Sequence, residues 1–134
     1  GFAKTIGELE NLDKETQFIL EVAAITHDIA CPLCREKYGN TNGKYQEIEG
    51  DPIVREFLKD TDLSQAQIDR VAYLVGHHHT LTDIDGLDYQ ILIEADYIVN
   101  ADASSYSKEN ITNTCSCVYK TKAGIGILKD IYKL

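Results

Sequence analysis

The sequence contains no methionine, and it lacks the excess of positive charge that binding to duplex nucleic acid requires. Its 134 residues include 13 Lys+Arg against 22 Asp+Glu, which gives a formal net charge of −9. Because proteins that embrace duplex nucleic acid present a basic surface, this balance argues against that class of partner. The negative charge is compatible instead with a site that recruits cations.

Long apolar runs, internal repeats, low-complexity tracts and glycine-rich phosphate loops are also absent. No run of consecutive apolar residues approaches the ~18 that a membrane span needs, so we expect no membrane partner. The hydrophobic fraction of 43% and the charged fraction of 26% are ordinary for a globular domain of this length. Four cysteines in an otherwise helical chain are typical of reduced thiols, which favours a cytoplasmic protein.

A strongly apolar stretch ends in an adjacent histidine and aspartate. Residues 18–25 are apolar except for Glu21, so the helix that begins near Asp13 is predicted to be central, with little solvated face. At helical spacing, His27 and Asp28 follow the apolar residues of this helix on the same face, so their side chains are predicted to point inward. A buried carboxylate costs several kcal/mol unless positive charge or several donors meet it, and a divalent metal meets that need. The alternative is a His-Asp pair that caps a helix end on the surface.

Two later helices are predicted to bring further polar groups to the core. The capping box of residues 64–67 opens a helix whose inward stripe continues into His78 and His79. A second apolar helix over residues 89–99 carries Asp96 on its inward face. Inward carboxylates and histidines on separate helices offset their desolvation cost by converging, and a metal suits that set of donors.

The segment after Asp28 is predicted to be a loop through residue 43 that forms a rim over this site. The next helix is predicted to break at residues 49–52, where a proline follows a glycine and an aspartate. Arg35, Lys37 and Lys44 are candidate phosphate contacts, with solvated surface charges as the alternative.

Two cysteine pairs suggest a different metal site. Cys31 and Cys34 together with Cys115 and Cys117 would form a structural four-thiolate zinc site if the chain folds back on the rim. The second pair has only one residue between its thiols, so free thiols are favoured. The segment from Ser107 onward is predicted to pack across the bundle without chemistry.

The order and placement of these motifs are similar to those of one known family. His27-Asp28 at the end of an apolar helix, the cluster His77-His78-His79 and the later Asp96 resemble the HD superfamily of metal-dependent phosphohydrolases, over about residues 2–103. The resemblance implies an all-α, single-domain helical bundle over residues 1–134, with about five to seven helices. It also implies an enzyme that acts on phosphomonoester or phosphodiester bonds.

The resemblance assigns three of the family's four metal ligands to His27, Asp28 and Asp96. The fourth is an earlier histidine, and none precedes His27. We therefore expect additional residues before Gly1 that complete the N-terminal helix and carry that histidine. The implied cofactor is one divalent ion, whose identity among Mn, Fe, Zn, Mg, Ni and Co is open. A second ion is disfavoured because Gln46 and its neighbours occupy the region where dinuclear members have a further histidine.

Catalytic roles follow from the same resemblance. Asp28 is expected to hold the attacking water, and His77 or His78 to neutralise phosphate charge or assist the leaving oxygen. The expected partner is a small phosphorylated substrate such as a nucleotide; the oligomeric state is open. The alternative is a catalytically impaired binding or signalling module with an incomplete metal site.

Overall fold

The computed structural model describes all residues from Gly1 to Leu134, and its regular structure is entirely helical. The eight helices are α1 (Phe2–Leu9), α2 (Lys14–Thr26), α3 (Cys31–Tyr38), α4 (Gly43–Leu58), α5 (Gln65–Val75), α6 (Leu87–Ala103), α7 (Lys108–Cys117) and α8 (Lys122–Tyr132). The predicted all-α bundle is confirmed, with one helix more than the upper end of the predicted range.

Short polar side chains begin several of these helices. The Asp13 carboxylate accepts a hydrogen bond from Thr16 N at 2.7 Å, at the N-cap predicted from the sequence. At the start of α5, Ser64 and Gln67 exchange both hydrogen bonds of a capping box. Such bonds satisfy backbone N–H groups that the first turn leaves without a helical partner. The sequence therefore determines where these helices begin.

Helix α6 forms the centre of the core. Ten of its residues are buried, and it packs against α1, α2, α5 and α8. Helix α2 lies beside it and buries Leu20 and Ala23 completely. The prediction that α2 has little solvated face is wrong, because Ile25 is 84% exposed and Phe18 is 44% exposed. Neighbouring helices cover only part of the circumference of α2, and its apolar residues extend beyond that part.

The stretch Lys14–Tyr38 is long and apolar enough to cross a membrane, judged by length and composition alone. The sequence contains no uninterrupted apolar run of that length. The stretch qualifies because its mean hydropathy is high although polar residues interrupt it. The stretch comprises α2, the turn after it and α3, and 33% of its most apolar part is buried in this bundle.

The rim predicted as a loop is largely helical. Helix α3 begins at Cys31 with Pro32 in its first turn, where the missing N–H of proline costs nothing, and ends at Gly39 with a φ of 77°. Helix α4 continues through Pro52 and does not break there. Proline removes one helical hydrogen bond from the carbonyl of Ile48, and that residue is 54% exposed, so water can reach it.

Candidate metal centre

His27, Asp28 and Asp96 come together where the end of α2 meets α6. The Nε2 atom of His27 lies 3.0 Å from Oδ1 of Asp96 and 3.3 Å from Oδ2 of Asp28. One potential ligand atom from each residue lies within 4.8 Å of the other two. Side chains 69 positions apart in the sequence thus meet in the arrangement that their helical phases predicted.

The three side chains differ in their access to solvent. Asp96 retains 12% and His27 20% of their side-chain exposure, whereas Asp28 retains 63%. The prediction that Asp28 points into the core is therefore wrong. Helix α2 ends at Thr26, so Asp28 lies beyond the last helical residue and its carboxylate stands at the mouth of the site.

The ring of His27 is oriented by its other nitrogen. Nδ1 lies 2.7 Å from the carbonyl oxygen of Ala24 and donates to it, which turns Nε2 toward the two carboxylates. Burial disfavours protonation of this imidazole, but the hydrogen bond to Asp96 and the charges of Asp28 and Asp96 outweigh it and raise the pKa of His27 to about 9. The carboxylates thus stabilise positive charge at Nε2.

Asn100 supports Asp96 from one helical turn further along α6. Its Nδ2 donates to Oδ2 of Asp96 at 3.1 Å, and so leaves Oδ1 to His27. Burial raises the pKa of Asp96, but the hydrogen bond with His27 overcomes this effect and the pKa is lowered. The sequence analysis missed Asn100, although a spacing of four residues on one helix was an available signal.

His78 lies next to His27, with the two ring centroids 5.3 Å apart and nearly perpendicular. It is 2% exposed, and its Nδ1 lies 2.7 Å from the carbonyl oxygen of Val75. Burial, with a smaller contribution from the charge of His79, lowers the pKa of His78 to about 4. Its Nε2 is buried without a hydrogen-bond partner. A neutral ring that donates from Nδ1 carries an unshared electron pair at this Nε2.

His79, rather than His77, joins this region. Potential ligand atoms of His78, His79 and Asp96 lie within 4.8 Å of one another. The ring of His77 instead stacks on Tyr73 at a centroid distance of 3.9 Å, and its Nδ1 contacts the carbonyl oxygen of the same tyrosine. The turn after α5 sends consecutive histidines in different directions. No contact between His77 and His27 or Asp96 supports the catalytic role that was predicted for His77.

The other residues that the sequence suggested as phosphate contacts or metal ligands do not join the clustered histidines and aspartates. Lys37 forms an ion pair with Glu49 at 2.7 Å, so its charge is already compensated. Arg35 and Lys44 are exposed and form no ion pair. The four cysteines are free thiols, and neither group of clustered ligand atoms includes one. The alternative of a four-thiolate zinc site is therefore not formed, in agreement with the preference for free thiols.

A cleft of about 370 Å³ opens beside the site. Its lining includes His27, Asp28, Asp96 and Asn100 together with apolar residues such as Leu92. This volume is within the range of small-molecule sites, in which a few polar groups fix the orientation of a ligand. The arrangement provides access for a small molecule to the histidine and the two carboxylates.

A divalent cation fits these donors. Imidazole nitrogens and carboxylate oxygens on separate helices are the ligands that Zn, Mn and Fe prefer. The unpartnered Nε2 of His78 is a buried atom for which the protein supplies no donor, and the oriented Nε2 of His27 already faces two carboxylates. His27, Asp28 and Asp96 would hold the ion.

The structure is thus an eight-helix bundle that presents an oriented histidine and two carboxylates, a candidate set of metal ligands, beside a cleft. The sequence matches the family model of the HD domain over residues 1–116, and the chain belongs to that family. Comparisons with curated proteins and with solved structures gave no match. The HD domain belongs to a superfamily of metal-dependent phosphohydrolases whose members bind divalent metals.

Proposed function

We propose that this protein is a metal-dependent phosphohydrolase that cleaves phosphomonoester or phosphodiester bonds in a nucleotide or a related small metabolite. The observation that carries the proposal is the meeting of His27 Nε2 with the carboxylates of Asp28 and Asp96 in the lining of a cleft. Membership of the HD family supports the same chemistry. Four free thiols support action in the cytoplasm.

We propose one divalent ion at His27, Asp28 and Asp96. When bound, such an ion supplies Lewis-acid polarisation of a phosphoryl oxygen and lowers the pKa of a water molecule. The protein's own contribution is orientation, since Ala24 fixes the ring of His27 and Asn100 fixes the carboxylate of Asp96. These partners hold the donors in place before the substrate arrives.

Asp28 is the group that we assign to the attacking water. Its carboxylate is 63% exposed at the mouth of the site, where it can accept a proton as the oxygen of water bonds to phosphorus. The bond from phosphorus to the ester oxygen then breaks, and the proton that Asp28 accepted passes, through water at the mouth of the site, to that oxygen. Of the two histidines predicted to assist, His78 lies nearer to the site, with its ring beside His27, but it is 2% exposed and does not line the cleft. We therefore prefer His78 to His77 only on its position, and not as a cationic contact to phosphate.

Metal analysis combined with a hydrolysis assay tests the proposal. The purified protein should contain or bind a divalent metal, and should hydrolyse nitrophenyl phosphate, bis-nitrophenyl phosphate or a nucleoside monophosphate in a chelator-sensitive manner. Asp28→Asn should remove this activity, and Asp130→Asn, an exposed carboxylate on α8, should not.

A protein that binds no divalent metal and hydrolyses none of these esters would contradict the proposal. The impaired binding or signalling module would then be the better account. Each cluster of ligand atoms contains only three side chains, and this observation favours that second function.

A further inference from the structure

Gln46, a buried side chain on α4, contacts the ring of His79. Its Nε2 donates to the carbonyl oxygen of Thr41 at 2.7 Å, and only the amide nitrogen can make that bond. The orientation of the amide is therefore fixed, and Oε1 is the atom that lies 3.2 Å from Nε2 of His79. With 8% exposure, Gln46 has little access to water as an alternative partner.

The hydrogen on His79 follows from this contact. An amide oxygen only accepts, so Nε2 of His79 must be the donor. A neutral imidazole carries one hydrogen, and Nδ1 then has the unshared electron pair. His79 thus offers Nδ1, whereas His78 donates from Nδ1 to Val75 and offers Nε2.

Gly43 leaves the space in which the ring of His79 lies. A Cβ atom at Gly43 would stand 2.7 Å from Cγ and 3.1 Å from Cδ2 of His79, closer than real side chains approach. The Cδ2–Nε2 edge of the ring is thus packed on α4, and Nδ1 belongs to the opposite edge. Glu47 adds a third contact, because its Oε2 accepts from the backbone N of His79 at 3.0 Å.

We propose that Gln46 is a positioning residue that holds His79, which forms a group with His78 and Asp96, in the Nε2–H tautomer, so that Nδ1 is the nitrogen of His79 left free to accept. The part of this inference that concerns a cation rests on the proposed function. The part that concerns the tautomer rests only on the hydrogen bonds of Gln46 and the space at Gly43. Sequence analysis noted Gln46 only as a departure from the dinuclear pattern.

Long-range ¹H–¹⁵N NMR correlation of the metal-free protein tests the tautomer directly. At a pH of about 8.5, two units above the ordinary histidine pKa, His79 should show the Nε2–H pattern. Gln46→Leu should convert it to a mixture of tautomers, because the amide oxygen that accepts from Nε2 is removed. Gln65→Leu is the matched control, since that exposed glutamine contacts Asp69 and lies away from the histidines.

An Nδ1–H pattern for His79 in the parent protein would overturn the proposal, as would an unchanged pattern in Gln46→Leu. The parent spectrum decides the tautomer of His79 even if Gln46→Leu unfolds. Gly43→Ala provides another variant, because it displaces the ring while leaving the glutamine in place.

Titration with Mn²⁺ or Zn²⁺ separates this inference from the proposed function. Loss of a partner that orients a ligand typically lowers metal affinity about 10- to 100-fold, and we expect a loss in that range for Gln46→Leu. A parent protein with the expected tautomer but no metal binding would contradict the proposed function and leave the positioning role standing. Metal binding that is equal in the parent and in Gln46→Leu would contradict the link between Gln46 and the cation.

Discussion

The carboxylate of Glu94 accepts a hydrogen bond from the hydroxyl of Thr121 at 2.5 Å, and the Glu94 side chain is completely buried. Its other oxygen accepts from the backbone N of Lys120 and of Thr121, and from Gln90 Nε2. A carboxylate on α6 is thus satisfied by the residues that begin α8. These bonds fix the C-terminal helix to the core helix.

Replacement of Glu94 should therefore destabilise the protein. In Glu94→Leu, the backbone N–H groups of Lys120 and Thr121 lose their acceptor inside the protein, at about 1–3 kcal/mol for each unsatisfied donor. Chemical denaturation of this variant should show a loss of several kcal/mol, whereas Glu36→Leu on the surface of α3 should change stability little. Equal midpoints for the two variants would contradict the role of Glu94.

Two glycines in α8 provide a sharper comparison. A Cβ atom at Gly124 would lie 1.9 Å from Oε1 of Glu94, whereas one at Gly126 would meet no atom within 4 Å. We expect Gly124→Ala to lower the unfolding free energy by about 1–3 kcal/mol, because the close packing cannot absorb the methyl group. Gly126→Ala should raise it by about 0.5–1 kcal/mol through helix propensity. Thermal melts that shift in the same direction for both would refute this account.

Asp96 is the residue shared by the two clusters of ligand atoms. Asp96→Ala should abolish both metal binding and activity while the bundle still folds, because the hydrophobic core does not depend on this carboxylate. Melting temperatures with added Mn²⁺ and with chelator should differ for the parent and coincide for the variant. Asp102→Ala, an exposed site on the same helix, should retain the difference. A metal-dependent increase that persists in Asp96→Ala would exclude the proposed ligand role.

The ion pairs of Arg70 allow a prediction of how the stability of the protein changes at acidic pH. Arg70 donates to both Asp85 and Asp88, and the hydrogen bond from Arg70 lowers the pKa of Asp85 below its usual value of 3.8. A carboxyl whose pKa is depressed in the folded state contributes stability above its unfolded pKa, and this contribution is lost as the pH falls through the folded value. Asp85→Asn should therefore reduce the loss of stability on acidification below a pH of about 4.

Denaturation curves measured at several pH values would check this prediction, with Asp60→Asn as the control because Asp60 is exposed and has no ion-pair partner. Since Asp85 is exposed, screening keeps its effect small. A variant whose acid sensitivity equals that of the parent would show that Arg70 does not stabilise the charge of Asp85.

The sequence by itself determined the all-helical class, the starts of several helices and which helices carry the candidate metal donors, but it did not predict α3 or the unbroken α4. Local hydrogen bonds set the starts at Asp13 and Ser64, and the apolar stretches around His27 and Asp96 marked two helices of the core. These features depend on neighbours within a few residues, or on periodicity along one helix. For that reason the all-α class and the meeting of His27 with Asp96 could be predicted.

The tertiary structure decided which side chains are exposed and which distant residues meet, and the sequence next to each residue does not predict these features. Asp28 is exposed because α2 ends two residues before it, and His79 rather than His77 reaches the site because the turn after α5 rotates the two rings apart. The partner of Glu94 lies 27 residues away, at Thr121. Periodicity predicts which face of a helix is buried, but which atom meets a buried charge depends on how distant helices pack.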